Sequence, residues 1–223
     1  NRRLLNDDGT VTMLWRNTDE RPTKPLDPGV GVVRISDTSG ATRGILVHFA
    51  CHPVVLGPDN LAISADYPGA MRRRLRETTA PQGDPPFVVF LQGAAGDLNP
   101  FRDKQPVVDG GFEEMERVGT QLADAVSQVL HRIEERPPVS AGLRVSARDL
   151  VFDHRWESDQ TVELRLTTIL FGEELAFVAV PGEPFVGHQL ALSARSPVAM
   201  SLLLGYAVSG GHAWPGYLPT LSA

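Results

Sequence analysis

Three apolar runs in this chain each end in polar residues able to do chemistry: His52, the pair Asp97 and Asn99, and Glu183. An imidazole, a carboxylate with a carboxamide, and a second carboxylate are groups used in proton transfer and metal binding. Their settings are alike. His52 follows Phe49-Ala50-Cys51 and precedes Pro53, which disfavours a helical conformation at the histidine. Asp97 and Asn99 sit in Gly93-Ala94-Ala95-Gly96-Asp97-Leu98-Asn99-Pro100, and Glu183 lies between Pro181-Gly182 and Pro184. Strand ends are where α/β proteins usually carry their sites. A histidine and a glutamate converging from two such ends would suit Zn²⁺, which takes imidazole nitrogen and carboxylate oxygen. Each position also has a structural reading. His52 would then cap a strand, the small-residue loop would be a tight turn, and Glu183 would be an acid facing a helix dipole. Ligands this far apart in sequence are less specific than a His-Glu-x-x-His helix, so the residues alone reach a metallohydrolase and no further.

The elements that must position these groups are read from hydrophobic period and turn residues. Val30–Ile35 and Arg43–Phe49 are apolar runs around Ser39-Gly40 and predict a hairpin. The second run delivers His52, and a loop then leads to Asp66. Pro68 fits the first turn of a helix that continues over Gly69–Thr79. Phe87–Leu91 predicts a buried strand feeding the Gly93–Pro100 loop. From Phe112 to Glu135, Met115, Val118, Leu122, Val126, Val129 and Ile133 recur at three- and four-residue steps. That helix would span about 36 Å, enough to cross a sheet. Strands are predicted over Leu143–Val151, Thr161–Phe171, Leu175–Val180 and Val198–Leu204, with a hairpin at Gly172-Glu173-Glu174 and a short helix through Phe185–Leu192. A short strand is predicted at Val11–Trp15, within an otherwise turn-rich residues 1–29.

The chain has 223 residues, 42% hydrophobic and 22% charged, which is ordinary globular composition. A net charge of −6 argues against nucleic acid, whose binders carry a basic face. The run Arg72-Arg73-Arg74-Leu75-Arg76 reads as the solvated face of its helix. The single cysteine, Cys51, excludes an internal disulfide and reads as a small buried hydrophobe rather than a nucleophile. No stretch has the ~18 apolar residues of a membrane span. The chain begins at Asn1 with neither Met nor a signal sequence, and it reads as a fragment of a longer protein or a processed chain.

Several segments resemble the catalytic domain of the neutral/alkaline (non-lysosomal) ceramidase family, in particular its bacterial members. In chain order they are Asn1-Arg2-Arg3, Pro25-Leu26-Asp27-Pro28-Gly29-Val30-Gly31-Val32, Phe49-Ala50-Cys51-His52-Pro53, Ile63-Ser64-Ala65-Asp66-Tyr67-Pro68-Gly69, Gly93–Pro100, Pro181-Gly182-Glu183 and Gly216-Tyr217. The resemblance covers nearly the whole chain and implies a single ceramidase-like catalytic-domain fragment over residues 1–223. The implied fold is α/β, with mixed sheets flanked by helices and incomplete at both ends. It implies one Zn²⁺ held by His52, Glu183 and Tyr217, with Tyr206 the rival tyrosine. A further histidine ligand of the family lies upstream of the block matched here. The implied substrate is an N-acyl lipid such as ceramide or a related amide. A secreted or periplasmic setting is compatible with the resemblance, which leaves compartment and oligomeric state open.

One position departs from the family pattern. Where the family has a serine implicated in amide cleavage, this chain has Asn99, which has no nucleophilic oxygen but can donate hydrogen bonds to an oxyanion. The expected catalytic residues are therefore Asp97 and Asn99, orienting water or substrate, with His212 of Gly210-Gly211-His212-Ala213-Trp214 as a proton carrier or substrate contact. Two rival readings are a non-catalytic binding domain that kept the fold, and a metallohydrolase of another amide or ester.

Overall fold

The computed structural model describes residues 1–79, 84–133, 142–154, 157, 159–208, 210–211 and 213–220. The chain groups into two compact units, the first comprising Asn1–Lys24, Pro28–Leu91 and Asn99–Arg136. It opens with two short antiparallel strands, β1 (Arg3–Leu5) and β2 (Val11–Met13). The turn between them is closed by Asp8, whose Oδ1 accepts the Thr10 amide at 2.9 Å. The predicted hairpin follows as β3 (Gly31–Ser36) and β4 (Thr42–Phe49), antiparallel with a register shift at Ile35/Ser36. Asp37 fixes its turn by accepting the amides of Ser39 and Ala41 at 2.9 and 3.0 Å.

Helix α1 (Asp66–Thr79) leads to β5 (Phe87–Gln92), which lies beside β4 in the order β3-β4-β5. A 3₁₀ turn at Val107–Asp109 precedes α2 (Gly111–Ile133). The core of this unit joins Val32, Ile45, Val47 and Val88 of the sheet to Tyr67, Met71 and Leu75 of α1 and to Leu122 and Val126 of α2. The two helices touch at Gly119, where an added Cβ would stand 2.5 Å from the Ala70 Cβ and 2.7 Å from the Tyr67 carbonyl oxygen. Only a residue without a side chain permits that approach.

The second unit comprises Pro25–Asp27, Gln92–Leu98 and Pro137–Ala223. Its long ribbon of β6 (Leu143–Asp153) and β7 (Thr161–Phe171) is antiparallel, and β7 turns through Gly172 into antiparallel β8 (Leu175–Ala179). Two-residue β9 (Glu183–Pro184) leads into α3 (Val186–Arg195), then β10 (Met200–Leu204), parallel to β8, and finally two-residue β11 (Tyr217–Leu218). The sheet order is β10-β8-β7-β6, with β11 pairing β9 separately. Ala94, Val180 and Leu203 form its buried centre, with Leu166, Val178, Leu192 and Leu218 packed on them.

The mixed α/β architecture expected from the sequence is present, with differences at the ends of elements. β2 stops at Met13 because Trp15 leaves the strand to lie against two cations, the Arg2 guanidinium at 5.7 Å and the Lys104 ammonium at 4.9 Å from the ring centre. α1 begins at Asp66, which puts Pro68 in its first turn as the sequence predicts. β1, β9 and β11 are too short to show a period of their own. Arg72, Arg73, Arg74 and Arg76 form the exposed face of α1, and Arg73 pairs with Glu116. Residues 134–135, expected to end the long helix, lie outside the described residues.

Candidate functional site

In the second unit, two Pro-Gly dipeptides do the positioning. Gly182 and Gly216 both adopt left-handed backbone, with φ of +83° and +68°. Each follows a proline and each turns the chain into a two-residue strand, so that Glu183 starts β9 and Tyr217 starts β11. The strands run parallel with Tyr217 in register with Glu183 and Leu218 with Pro184. Backbone bonds hold that register: Glu183 N–H to the Gly216 carbonyl at 2.8 Å and Phe185 N–H to the Leu218 carbonyl at 3.0 Å. Register partners on adjacent strands sit about 5 Å apart with side chains on one face. The carboxylate and the phenol therefore leave the backbone side by side. Glu183 is half-buried and Tyr217 is 46% exposed, its ring edge-on to Phe185 at 6.4 Å between centroids. An added Cβ at Gly182 would stand 2.6 Å from the Gly216 carbonyl oxygen, so neither conformation nor space admits another residue there.

Tyr206, the rival tyrosine, lies beside the same turn. Its amide donates to the Gly182 carbonyl at 2.9 Å, and its ring faces Trp214 at 5.9 Å. It holds a φ of +58°, a conformation costing about 1–2 kcal/mol for a side-chain-bearing residue.

The Gly93–Asp97 loop docks onto the strand and helix that follow Glu183. The Gly96 amide donates to the Pro184 carbonyl at 2.9 Å. Asp97 is buried, and its Oδ1 accepts the Val186 amide at 2.8 Å. That bond caps α3, whose own N-cap residue, Phe185, offers no side-chain bond. Gln189, also buried, accepts the Ala94 amide at 2.9 Å and donates through Nε2 to Asp27 Oδ2 at 2.6 Å. The sequence reading passed over Gln189. Its one signal is a polar side chain three residues after Val186, on the apolar stripe of a short helix.

In the first unit, His52 is 6% exposed and lies at the end of the β4 run, where the sequence places it. Asp66 anchors the loop after it. Its carboxylate accepts the amides of Val55 at 3.3 Å, Leu56 at 2.9 Å and Tyr67 at 2.7 Å. Tyr67 in turn donates its hydroxyl to the Cys51 carbonyl at 2.7 Å. Burial pushes the Cys51 thiol up to about 12, so the thiolate is scarce at neutral pH, in keeping with the structural role read from the sequence.

Asn99 belongs to a polar cluster in this unit. Its Oδ1 accepts from Arg2 Nη1 at 3.3 Å and its Nδ2 donates to Asp103 Oδ2. Asp103 is fully buried and also receives Lys104 Nζ at 2.9 and 2.8 Å from its two oxygens. The expectation of an amide directed at a substrate oxyanion therefore meets a carboxamide with both ends already engaged. Asp103, the hub, was not foreseen: between Arg102 and Lys104 it reads as one charge of an exposed run. His212 lies outside the described residues.

Zn²⁺ accepts carboxylate oxygen, phenolate oxygen and imidazole nitrogen as donors. The Glu183 and Tyr217 pair supplies two adjacent oxygen donors on one face, which fits part of such a set. Among the described residues, no group of three or more His, Cys, Asp or Glu side chains is placed to hold a metal ion. No helix among them is long and apolar enough to cross a membrane.

No family model matches the chain, and no curated protein matches it in sequence. In structure it is similar to neutral ceramidase from Pseudomonas aeruginosa. The TM-score is 0.69, at 15% identity, over 88% of this chain and 41% of that one. It is also similar to a ceramidase complexed with C2, with a TM-score of 0.69 at 14% identity, over 88% of this chain and 43% of that one. The fold defined here is thus of the neutral ceramidase type. The chain spans less than half the length of the structures it matches.

Proposed function

We propose that this chain is part of the catalytic domain of a zinc-dependent amidohydrolase similar to neutral ceramidase, cleaving the C–N bond of an N-acyl lipid or a related amide. The observation that supports this most is the register of β9 with β11, which sets Glu183 beside Tyr217 within a ceramidase-like fold. In this reading Glu183, Tyr217 and His52 would hold a zinc ion, which when bound would supply Lewis acidity toward the scissile carbonyl. Glu183 and Tyr217 would provide oxygen donors, and His52 an imidazole nitrogen. Asp97 acts through the backbone it caps, and His212 is assigned to proton transfer or substrate contact.

The lack of a nucleophilic oxygen at Asn99, where the family has a serine, favours an amide other than ceramide as the preferred substrate. The test uses the full-length protein, with metal analysis followed by hydrolysis assays on ceramide and on simple N-acyl amides. The expected result is stoichiometric zinc in the parent, lost in Glu183→Gln, with hydrolysis of N-acyl amides and little turnover of ceramide. Asn99→Ser should not raise ceramide turnover, because the side chain it replaces also bonds Asp103 and Arg2. A protein that takes up no zinc and hydrolyses none of these amides would instead be the binding domain. Rapid ceramide cleavage by the parent would show that the family's serine is dispensable in this scaffold.

A further inference from the structure

Gln189 is a fully engaged, buried polar side chain in a helix that has no need of one. At 2% exposure it bridges three segments distant in sequence: Asp27, the Ala94 amide and α3 itself. A buried carboxamide left unbonded would cost about 1–3 kcal/mol per group, so such a residue persists where its bonds are made. Its bonds form one half of a reciprocal pair. Asp97 reaches from the loop into the helix, to the Val186 amide at 2.8 Å. Gln189 reaches from the helix back into the loop, to the Ala94 amide at 2.9 Å. Between the two runs the Gly96 amide bond to the Pro184 carbonyl at 2.9 Å. The fit at that point leaves no slack: a Cβ on Gly96 would stand 2.4 Å from the carbonyl oxygen of Glu183 and 2.8 Å from the Phe185 ring. The loop thus bears on the two-residue strand that carries Glu183, and it is held there at both ends.

We propose that Gln189 is a positioning residue for Glu183: with Asp97 it forms a two-way clamp that presses the Gly93–Asp97 loop onto β9 and sets where the Glu183 carboxylate stands beside Tyr217. The link to metal binding rests on the zinc reading above, whereas the clamp itself stands on the hydrogen bonds. A two-residue strand has little rigidity of its own, because it contributes only a few ladder bonds. Its direction is set by what packs on it, and the outer bonds that orient metal ligands commonly change affinity by about 10- to 100-fold when removed.

The test is a donor–acceptor exchange in the full-length protein. Gln189→Glu keeps the acceptor for Ala94 but sets a carboxylate against the carboxylate of Asp27. The pair Gln189→Glu/Asp27→Asn reverses the direction of that bond and restores the net charge. Zinc affinity, read by competition with a chelating dye, should fall about 10- to 100-fold in Gln189→Glu and recover most of that loss in the pair. A parent-like affinity in Gln189→Glu, or no recovery in the pair, would overturn the proposal. If the parent itself takes up no zinc, the zinc reading fails and the clamp is judged by hydrogen exchange at the Ala94 and Val186 amides. Exchange should quicken in Gln189→Glu and slow again in the pair; unchanged protection in the single variant would dispose of the clamp.

Discussion

The two units use the same kinds of polar side chain in opposite ways. In the first, the carboxylates of Asp66 and Asp103 are buried, and their oxygens satisfy nearby donors: three backbone amides for Asp66, and Asn99 with Lys104 for Asp103. They hold loops in place. In the second, Glu183 and Tyr217 are brought to a partly open face, while the buried polar groups, Asp97 and Gln189, stand behind them. The difference teaches that a carboxylate at a strand end is not in itself a site. A buried carboxylate beside unpaired backbone amides is taken up in holding them, as Asp66 and Asp97 both are, whereas Glu183 stands half-buried on a strand whose own amide is already paired.

The comparison can be broken most sharply by removing one carboxylate from each unit. Asp66→Ala strands three amides of the loop and helix start, and should cost about 4 kcal/mol. Glu183→Ala leaves the backbone pairing of β9 intact at a half-buried position and should cost less than Asp66→Ala, about 1–2 kcal/mol. Equal losses by urea denaturation would erase the distinction drawn between the units.

Next in size is Gly96→Ala. Its Cβ meets carbonyl oxygens of Glu183 and Pro184 rather than the flexible end of a side chain, so about 3 kcal/mol should be lost. A loss below about 1 kcal/mol would mean that the loop can lift from β9 at little cost, and that the second unit is looser than described.

Asp97 separates charge from geometry. Asp97→Ala leaves the Val186 amide buried without its cap and should cost about 2 kcal/mol. Asp97→Asn keeps an oxygen acceptor and should cost less than about 1 kcal/mol. If the asparagine variant is as unstable as the alanine one, the negative charge matters at this position and not merely the bond.

The smallest effect concerns Asp37 in the hairpin turn of the first unit. The Ser39 hydroxyl, and after it the Arg43 guanidinium, hold its carboxyl at about 2, below the ordinary carboxylate value. The folded state therefore binds this proton less readily than the unfolded chain. Its contribution to stability is present above the unfolded value of about 4 and is lost as pH falls towards 2. An acid titration should shift the Ser39 and Ala41 amide resonances in that window; a midpoint near 4 would remove the turn's bonds from the account.

Much of the architecture was legible because its causes are local. The apolar stripe of α2 and the runs of β4, β5 and β8 are periodicities that a short window contains in full. The hairpins at Ser39-Gly40 and Gly172 are written in turn residues. Less could be read where an element exists only through its partner. β9 and β11 have two residues each, too few for any period, and are strands only because 32 residues of intervening chain bring them together in register. Asp103, between two basic residues, gives no local sign of burial and Gln189 only its place on an apolar stripe, since burial is a property of what packs on a residue and not of the residue.

By itself, the sequence determined the strand ends near which His52, Asp97 and Glu183 stand, the glycines at 182 and 216 that permit the turns found there, and the absence of a nucleophilic oxygen at position 99. Backbone sterics and side-chain chemistry are local, so these follow from residue type and immediate neighbours. Only the tertiary structure decided that Tyr217 is the register partner of Glu183, that Asp97 caps α3, and that Asn99 is tied to Asp103 and Arg2. Each of those is a hydrogen bond between segments far apart in the chain, and its partner is chosen by how the whole unit buries its apolar surface while leaving few buried donors unpaired.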